Sequence, residues 1–226
     1  MVPFAGFYMP VHYRGIIEEH RAVRTNVGLF DLSHMGELEV SGASALEFLQ
    51  KTMTNDASAL ETHQIHYSCM TNPDGGIVDD LLVYNLGDRY LLVVNAANID
   101  KDFAWLQSHL IDGAKLVNRS DDVSLLAIQG PNAQKLLQTL TDYNLDDLQY
   151  YWATEADIAG KKILFSRTGY TGEDGFELYI PNADGEHLWK AITEAGKKFD
   201  MSLVGLGARD SLRLEMKMAL YGNDID

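Results

Sequence analysis

Asp79 and Asp80 stand side by side in an otherwise apolar run, Ile77–Tyr84, and are the residues of this chain best suited to chemistry. In extended backbone successive side chains point to opposite faces, so the two are not a pair of carboxylates sharing a proton. Strict alternation groups Val78, Asp80, Leu82 and Tyr84 on one face and Asp79, Leu81 and Val83 on the other. An acid placed among Val, Leu and Tyr is costly unless something satisfies it. Asp80 therefore either caps a turn, pairs with an arginine, or belongs to a functional site. Glu177 poses the same question, because Phe176, Leu178 and Ile180 form one strand face and leave Glu177 and Tyr179 on the other. Just upstream, Arg167–Gly175 is too glycine-rich for a long strand and reads as a loop able to close over a ligand. Arg209 shares a helix with Asp210, Arg213 and Glu215, where ordinary ion pairing is the default. Arg21 and Arg24, on an expected helix from Ile16 to Val27, read first as a solvated face.

The generic motifs are missing. There is no Walker loop, no GxGxxG after a strand, no HExxH and no nucleophile elbow. His63 and His66 have a spacing that can meet a metal, but no carboxylate or cysteine cluster completes a site, and none is expected. With 18 basic and 33 acidic side chains the formal charge is −15 over 226 residues. That balance argues against duplex nucleic acid or an anionic membrane as a partner, although a few arginines still suit an anionic small ligand. No apolar run approaches a membrane span. The apolar start carries no basic flank, so it does not read as a signal peptide. The one cysteine, Cys69, excludes an internal disulfide framework and fits a reducing compartment.

The elements that must position these residues form an α+β pattern. Glu37–Val40 reads as a strand followed by a helix marked by Ala45, Leu46 and Leu49. Leu125–Ile128 leads through Gly130-Pro131 into a helix with Pro131 at its first position. Phe176–Ile180 leads through a turn at Pro181–Gly185 to helical spacing at Leu188, Trp189 and Ile192. Tyr90–Val94 is followed by Asn98, a candidate cap before Ile99, Phe103, Leu106 and Leu110. A hairpin of His66–Thr71 and Ile77–Tyr84 turns at Asn72–Gly76, and a second turn at Asn85–Asp88 returns the chain into Tyr90–Asn95. Three strands in a meander followed by a helix indicate α+β rather than a doubly wound sheet. No linker divides the chain, so two domains would be crossed between more than once. The expected division is 1–36 with 120–212, and 37–119 with about 213–226. Both ends read equally as natural termini or as cuts.

Six stretches together resemble one family: VPFAGFYMP (Val2–Pro10), EEHRAVRTNVGLFDLSHMGE (Glu18–Glu37), TNPDGGIVDDLLVY (Thr71–Tyr84), VVNAANIDKD (Val93–Asp102), SRTGYTGEDGFEL (Ser166–Leu178) and GLGARDSLRLE (Gly205–Glu215). The chain resembles the aminomethyltransferases, the T-proteins of the glycine cleavage system, in order and over essentially all 226 residues. The resemblance implies interleaved antiparallel-sheet and helix domains with ferredoxin-like strand–helix units. It also implies that this chain corresponds to the first two domains and lacks a C-terminal barrel, which selects the reading of the ends as cuts. The implied activity is transfer of an aminomethyl group from the lipoyl arm of the H-protein to tetrahydrofolate, giving 5,10-methylenetetrahydrofolate, ammonia and the dihydrolipoyl protein. Tetrahydrofolate is then the bound co-substrate, no metal is used, and the lipoylated H-protein is the partner. A bacterial-type parent would be cytoplasmic, a eukaryotic one in the mitochondrial matrix.

The resemblance assigns the catalytic aspartate to Asp80, the second acid of GGIVDD, in agreement with its odd place in the strand. It assigns folate contacts to Met35, Tyr67, Tyr84, Asn95, Tyr150, Tyr170, Glu177 and Arg209. Tyrosines suit packing against a planar pterin, and a carboxylate such as Glu177 suits its amino-pyrimidine edge. Later pocket residues of the family lie beyond Asp226. Two related readings stand beside this one. The folate module of demethylating dehydrogenases and oxidases would need a flavin domain on the same chain. A non-enzymatic folate-binding protein of iron–sulfur assembly carries a Lys-Gly-Cys-Tyr type signature, where this chain has Arg213–Met218 and no cysteine.

Overall fold

The computed structural model describes residues 1–226 and is α+β. The chain opens with β1 (Val2–Phe4), β2 (Phe7–Met9), α1 (Ile16–Thr25) and β3 (Gly28–Asp31). It continues through β4 (Gly36–Ser41), α2 (Ala45–Thr52), β5 (Ile65–Thr71), β6 (Ile77–Asn85), β7 (Arg89–Val94), α3 (Ile99–Ser108) and β8 (Lys115–Asn118). Then follow β9 (Val123–Gln129), α4 (Ala133–Gln138), β10 (Ala153–Ile158), β11 (Lys161–Ser166), β12 (Gly175–Pro181), α5 (Asn182–Gly196), β13 (Ser202–Leu203) and α6 (Leu206–Glu215). Two compact units result. The first joins Met1–His34 to Val123–Met218, and the second joins Met35–Asp122 to Ala219–Asp226. The last crossing therefore follows Met218 rather than a point near 213, because α6 continues to Glu215 and its carbonyls are still capped from Lys217 and Met218.

The first unit is a six-stranded sheet in the order β10-β11-β12-β9-β3-β13, antiparallel except for the β13–β3 pair. Alternation sends its side chains into two layers. Leu126, Ile128, Phe176, Leu178 and Ile180 pack with Leu136 and Leu137 of α4 and Leu188 and Ile192 of α5. Ala127 and Phe30 face the other way, into a cluster with Val23 of α1 and Ala208 and Leu212 of α6. Glu177 is paired in register with Ala127, so it lies on the α1–α6 side.

The second unit is a five-stranded antiparallel sheet, β5-β6-β7-β4-β8. Leu38, Val40, Leu81, Val83, Leu92 and Val94 form its apolar face against Phe48 and Leu49 of α2 and Leu106 of α3.

Local differences from the expected elements have local causes. The segment Asn182–Gly185 is the first turn of α5 and not a separate turn. Pro181 precedes it without needing an N–H, and Asp184 complements the helix dipole. Pro131 lies in the turn before α4, whose first helical residue is Ala133. α1 stops at Thr25, and the Asn26 side chain donates to the carbonyl of Phe199.

Candidate functional site

Within the second unit, β5 and β6 are antiparallel and place Cys69 opposite Asp80 and Tyr67 opposite Leu82. The register shifts between Met70 and Thr71, leaving Val78 as the extra residue of a bulge. Alternation breaks there, and Val78 joins the same core as Leu81 and Val83. Asp79 and Asp80 do diverge, but the core-side acid is Asp79, fully buried, while Asp80 is half-buried on the opposite face. This reverses the sequence-based side assignment. The apolar face of the strand belongs to Leu81 and Val83, and Asp80 shares its side with Tyr67.

Asp80 is held by two donors. The Tyr67 hydroxyl donates to Oδ2 at 2.9 Å and the Asn95 side-chain amide donates to Oδ1 at 2.7 Å. Burial pushes its carboxyl above the usual range, the two donors pull it back, and neighbouring Asp79 pushes it up again. The net result is raised. Tyr67 is 43% exposed, and burial of its hydroxyl together with the Asp80 charge raises its own pKa. Such a phenol donates a hydrogen bond and does not ionise. A carboxyl of elevated proton affinity, fixed in direction and still reachable, can steer an amine and exchange a proton with it.

Behind Asp80 lies a second layer absent from the sequence expectation. The Asn95 amide also donates to Asp79 Oδ1 at 2.9 Å, and the Asn98 amide reaches the same oxygen at 3.0 Å. The backbone N–H of Asn95 donates to Asp79 Oδ2 at 3.3 Å. Asn98 is the N-cap of α3 by position, yet its side chain makes no cap and serves Asp79 instead. Asp102 of α3 is also fully buried, and neither of its oxygens meets an N–H or a hydroxyl. Burial, then Asp79 beside it, raises its pKa to about 10. A signal for Asp102 exists in the sequence. It follows Ile99 by three and precedes Leu106 by four, on the apolar stripe of α3.

Within the first unit, Glu177 is 8% exposed and accepts from the Thr168 hydroxyl at 2.5 Å. Burial raises its carboxyl, opposed by Thr168 and by Arg209. Arg209 is not consumed by an ion pair on α6. Asp210 pairs with Arg213 at 2.7 Å, while the Arg209 guanidinium lies 4.8 Å over the Tyr170 ring, its pKa lowered chiefly by burial. Arg209 also lines a cavity of about 190 Å³ with Phe7, Tyr13, Phe30, Asp31 and His34. Burial and the Arg209 charge bring His34 down to about 4, so the ring is neutral at pH 7, and both ring nitrogens lack partners. The Arg167–Gly175 loop is pinned at its base. Arg167 forks onto Asp174 at 2.8 and 2.7 Å, and Gln129 binds the Thr168 carbonyl and the Thr171 hydroxyl. Arg24, expected on a solvated face, instead ties α1 to Glu215, to the Leu212 carbonyl and to Glu173.

The remaining expected residues are placed unevenly. Tyr150 is 61% exposed and stacks edge-on with Tyr151, so its ring is open to a ligand. Met35 is half-buried immediately before β4. Tyr84 is fully buried and presents no free ring face, which counts against the stacking role expected of it.

The model of the GCVT N-terminal domain family matches residues 1–226. An aminomethyltransferase of Chloroherpeton thalassium is 55% identical, aligned over 100% of this chain and 63% of its own length. The aminomethyltransferase of Bacillus subtilis is 52% identical, over 99% of this chain and 62% of its own. This chain thus spans somewhat less than two thirds of these curated relatives. The crystal structure of the glycine cleavage system aminomethyltransferase T of Bartonella henselae superposes with a TM-score of 0.91 at 37% identity, covering 99% of this chain and 60% of that one. With sequence and backbone in agreement from end to end, the chain belongs to the aminomethyltransferase family, the T-proteins of the glycine cleavage system, and corresponds to their N-terminal domain.

Proposed function

We propose that this chain carries the folate-binding and proton-handling part of a tetrahydrofolate-dependent aminomethyl transfer. The donor is the aminomethylated lipoyl arm of an H-protein, and the products are 5,10-methylenetetrahydrofolate, ammonia and the dihydrolipoyl protein. The observation that carries this reading is Asp80 itself, a half-buried carboxyl of raised proton affinity aimed by a tyrosine and an asparagine. The available groups suit the ligand's chemistry. Half-buried Asp80 suits an amine, buried Glu177 suits the donor edge of an amino-pyrimidine, and the open rings of Tyr67 and Tyr150 suit a planar face.

Tetrahydrofolate, when bound, supplies the nucleophilic nitrogen that takes over the methylene carbon. Asp80 orients the amine by accepting its N–H and takes up the proton that the nitrogen loses as it bonds the methylene carbon. That proton then leaves with the ammonia, and the role needs fixed direction more than strong basicity. Tyr67 and Asn95 supply that direction. Glu177 and Arg209 supply binding selectivity. Asp80→Asn keeps the size and one acceptor oxygen but removes the charge. In the intact polypeptide it is expected to lower kcat by roughly 100-fold or more, with tetrahydrofolate affinity by calorimetry nearly unchanged. Wild-type rates of ammonia release by this variant would refute the assignment.

A further inference from the structure

Asn95 has one side-chain amide nitrogen with two hydrogens, and the two aspartates of β6 take both. Asp79 Oδ1 lies 2.9 Å away and Asp80 Oδ1 2.7 Å. A turned amide would aim its oxygen at both carboxyls, so Asp79 and Asp80 together dictate which way Asn95 faces. Asp79 is itself fixed by the Asn95 backbone N–H and by the Asn98 amide, with the buried Asp102 carboxyl beside it. Neighbouring carboxyls attract only when one carries a proton, and Asp102, fully buried with no N–H or hydroxyl partner, is the one built to keep it. Lys101, next in sequence, is turned away, bound to the Val78 carbonyl at 2.5 Å and to the Tyr221 hydroxyl at 3.2 Å. The Lys101 charge favours the ionised form of Asp102, but burial and the neighbouring Asp79 outweigh it.

We propose that Asp79, braced by Asn98 and by the Asn95 backbone, is a positioning residue that acts through the Asn95 amide to fix the direction of Asp80. The chain of contacts is Asp79 to Asn95, and Asn95 to Asp80. Asp79 never meets the ligand in this scheme. It removes the rotational freedom of the group that does, which makes buried acids an asset at a place where apolar residues would pack more cheaply.

This inference rests on the folate-transfer reading for its activity readout, so the test has two independent arms in the intact polypeptide. In the kinetic arm, Asp79→Asn must set its NH₂ either against the Asn95 and Asn98 side-chain amides or against the Asn95 backbone N–H, and is expected to lower kcat by about 10- to 100-fold. The KM for tetrahydrofolate should stay near wild type. Should Asp79→Asn fail to fold, Asn98→Ala removes one brace and should give a smaller fall in kcat. In the structural arm, crystal structures of Asp79→Asn or Asn98→Ala should show the Asn95 amide turned and the Asp80 carboxyl displaced. Unmoved Asn95 and Asp80, or full kcat in Asp79→Asn, would overturn the proposal. Absence of folate turnover in the wild type would sink the functional reading alone, and the structural arm would still decide this one.

Discussion

A carboxyl buried for use is a strain on the fold, and Glu177 shows this most directly. Its pKa is raised, first by burial, so folding takes up a proton that the unfolded chain has already lost. Its stabilising contribution is complete below the ordinary glutamate pKa and declines as pH climbs through the raised folded value. Wherever Glu177 is ionised, burial therefore makes its charge costly to the fold. Glu177→Gln keeps an acceptor for the Thr168 hydroxyl and removes the charge, so the ligand-free variant should melt higher by roughly 2–4 °C. The same change should weaken tetrahydrofolate binding in calorimetry. A variant that loses affinity without gaining stability would show that burial is not what the wild type tolerates for binding. At this scale much could be read in the sequence. Asp80 stood out because strand alternation groups it with Val78, Leu82 and Tyr84, and Glu177 because it interrupts an apolar strand. The side of Asp80 was misread because the bulge at Val78 is a property of pairing with Met70 and Thr71, which no single strand displays. The Asp79–Asn95–Asn98 cluster was illegible for a related reason, since it joins β6 to the connection between β7 and α3.

Among the elements, α1 has the most unusual anchoring. Glu19 lies within the helix, yet one of its oxygens accepts the N–H groups of Tyr13, Arg14 and Gly15 at 2.6, 2.7 and 3.2 Å. The other accepts from Gly205 at 2.9 Å, just ahead of α6. One carboxylate thereby gathers the turn before α1 and fastens it to the start of α6. Burial pushes its pKa up, but four backbone donors outweigh that and leave it lowered. The stability it contributes is present above the ordinary glutamate pKa of 4.5 and lost as pH falls through the depressed folded value. Glu19→Gln, with one amide side turned against N–H donors, should lower the urea midpoint at pH 7 and flatten its dependence on pH below 4.5. An unchanged acid limb would remove Glu19 from the account. Helix existence was legible from apolar spacing, whereas the role of Arg24 was not. Its partners Thr171, Leu212 and Glu215 come from distant parts of the chain. Asn98 was legible as an N-cap by position, while the direction of its side chain depended on Asp79.

At the scale of the whole molecule, the six matched stretches span both units, which is why the family was visible before any fold was. The points of crossing were less visible, because no change of composition marks Met35, Val123 or Ala219. The insertion of Met35–Asp122 between two segments of the first unit's sequence bears on the order of assembly. β3 finds its partner β9 only across the entire inserted segment, with Asp31 opposite Leu126. In an unfolded chain that closure carries the entropy of a long loop. The inserted sheet removes most of it, because β4 and β8, its first and last strands, are neighbours with Leu38 opposite Asn118. Once that pair forms, the chain ends leading back to β3 and forward to β9 emerge side by side, and the long loop has become a short one. The second unit should therefore gain structure first and nucleate the first. Pulse-labelled hydrogen exchange during refolding should find the β4, β6 and β7 amides protected before those of β3 and β9, and the reverse order would exclude it. A destabilising substitution in the inserted core, such as Leu92→Ala, should then slow the assembly of the sheet of the first unit.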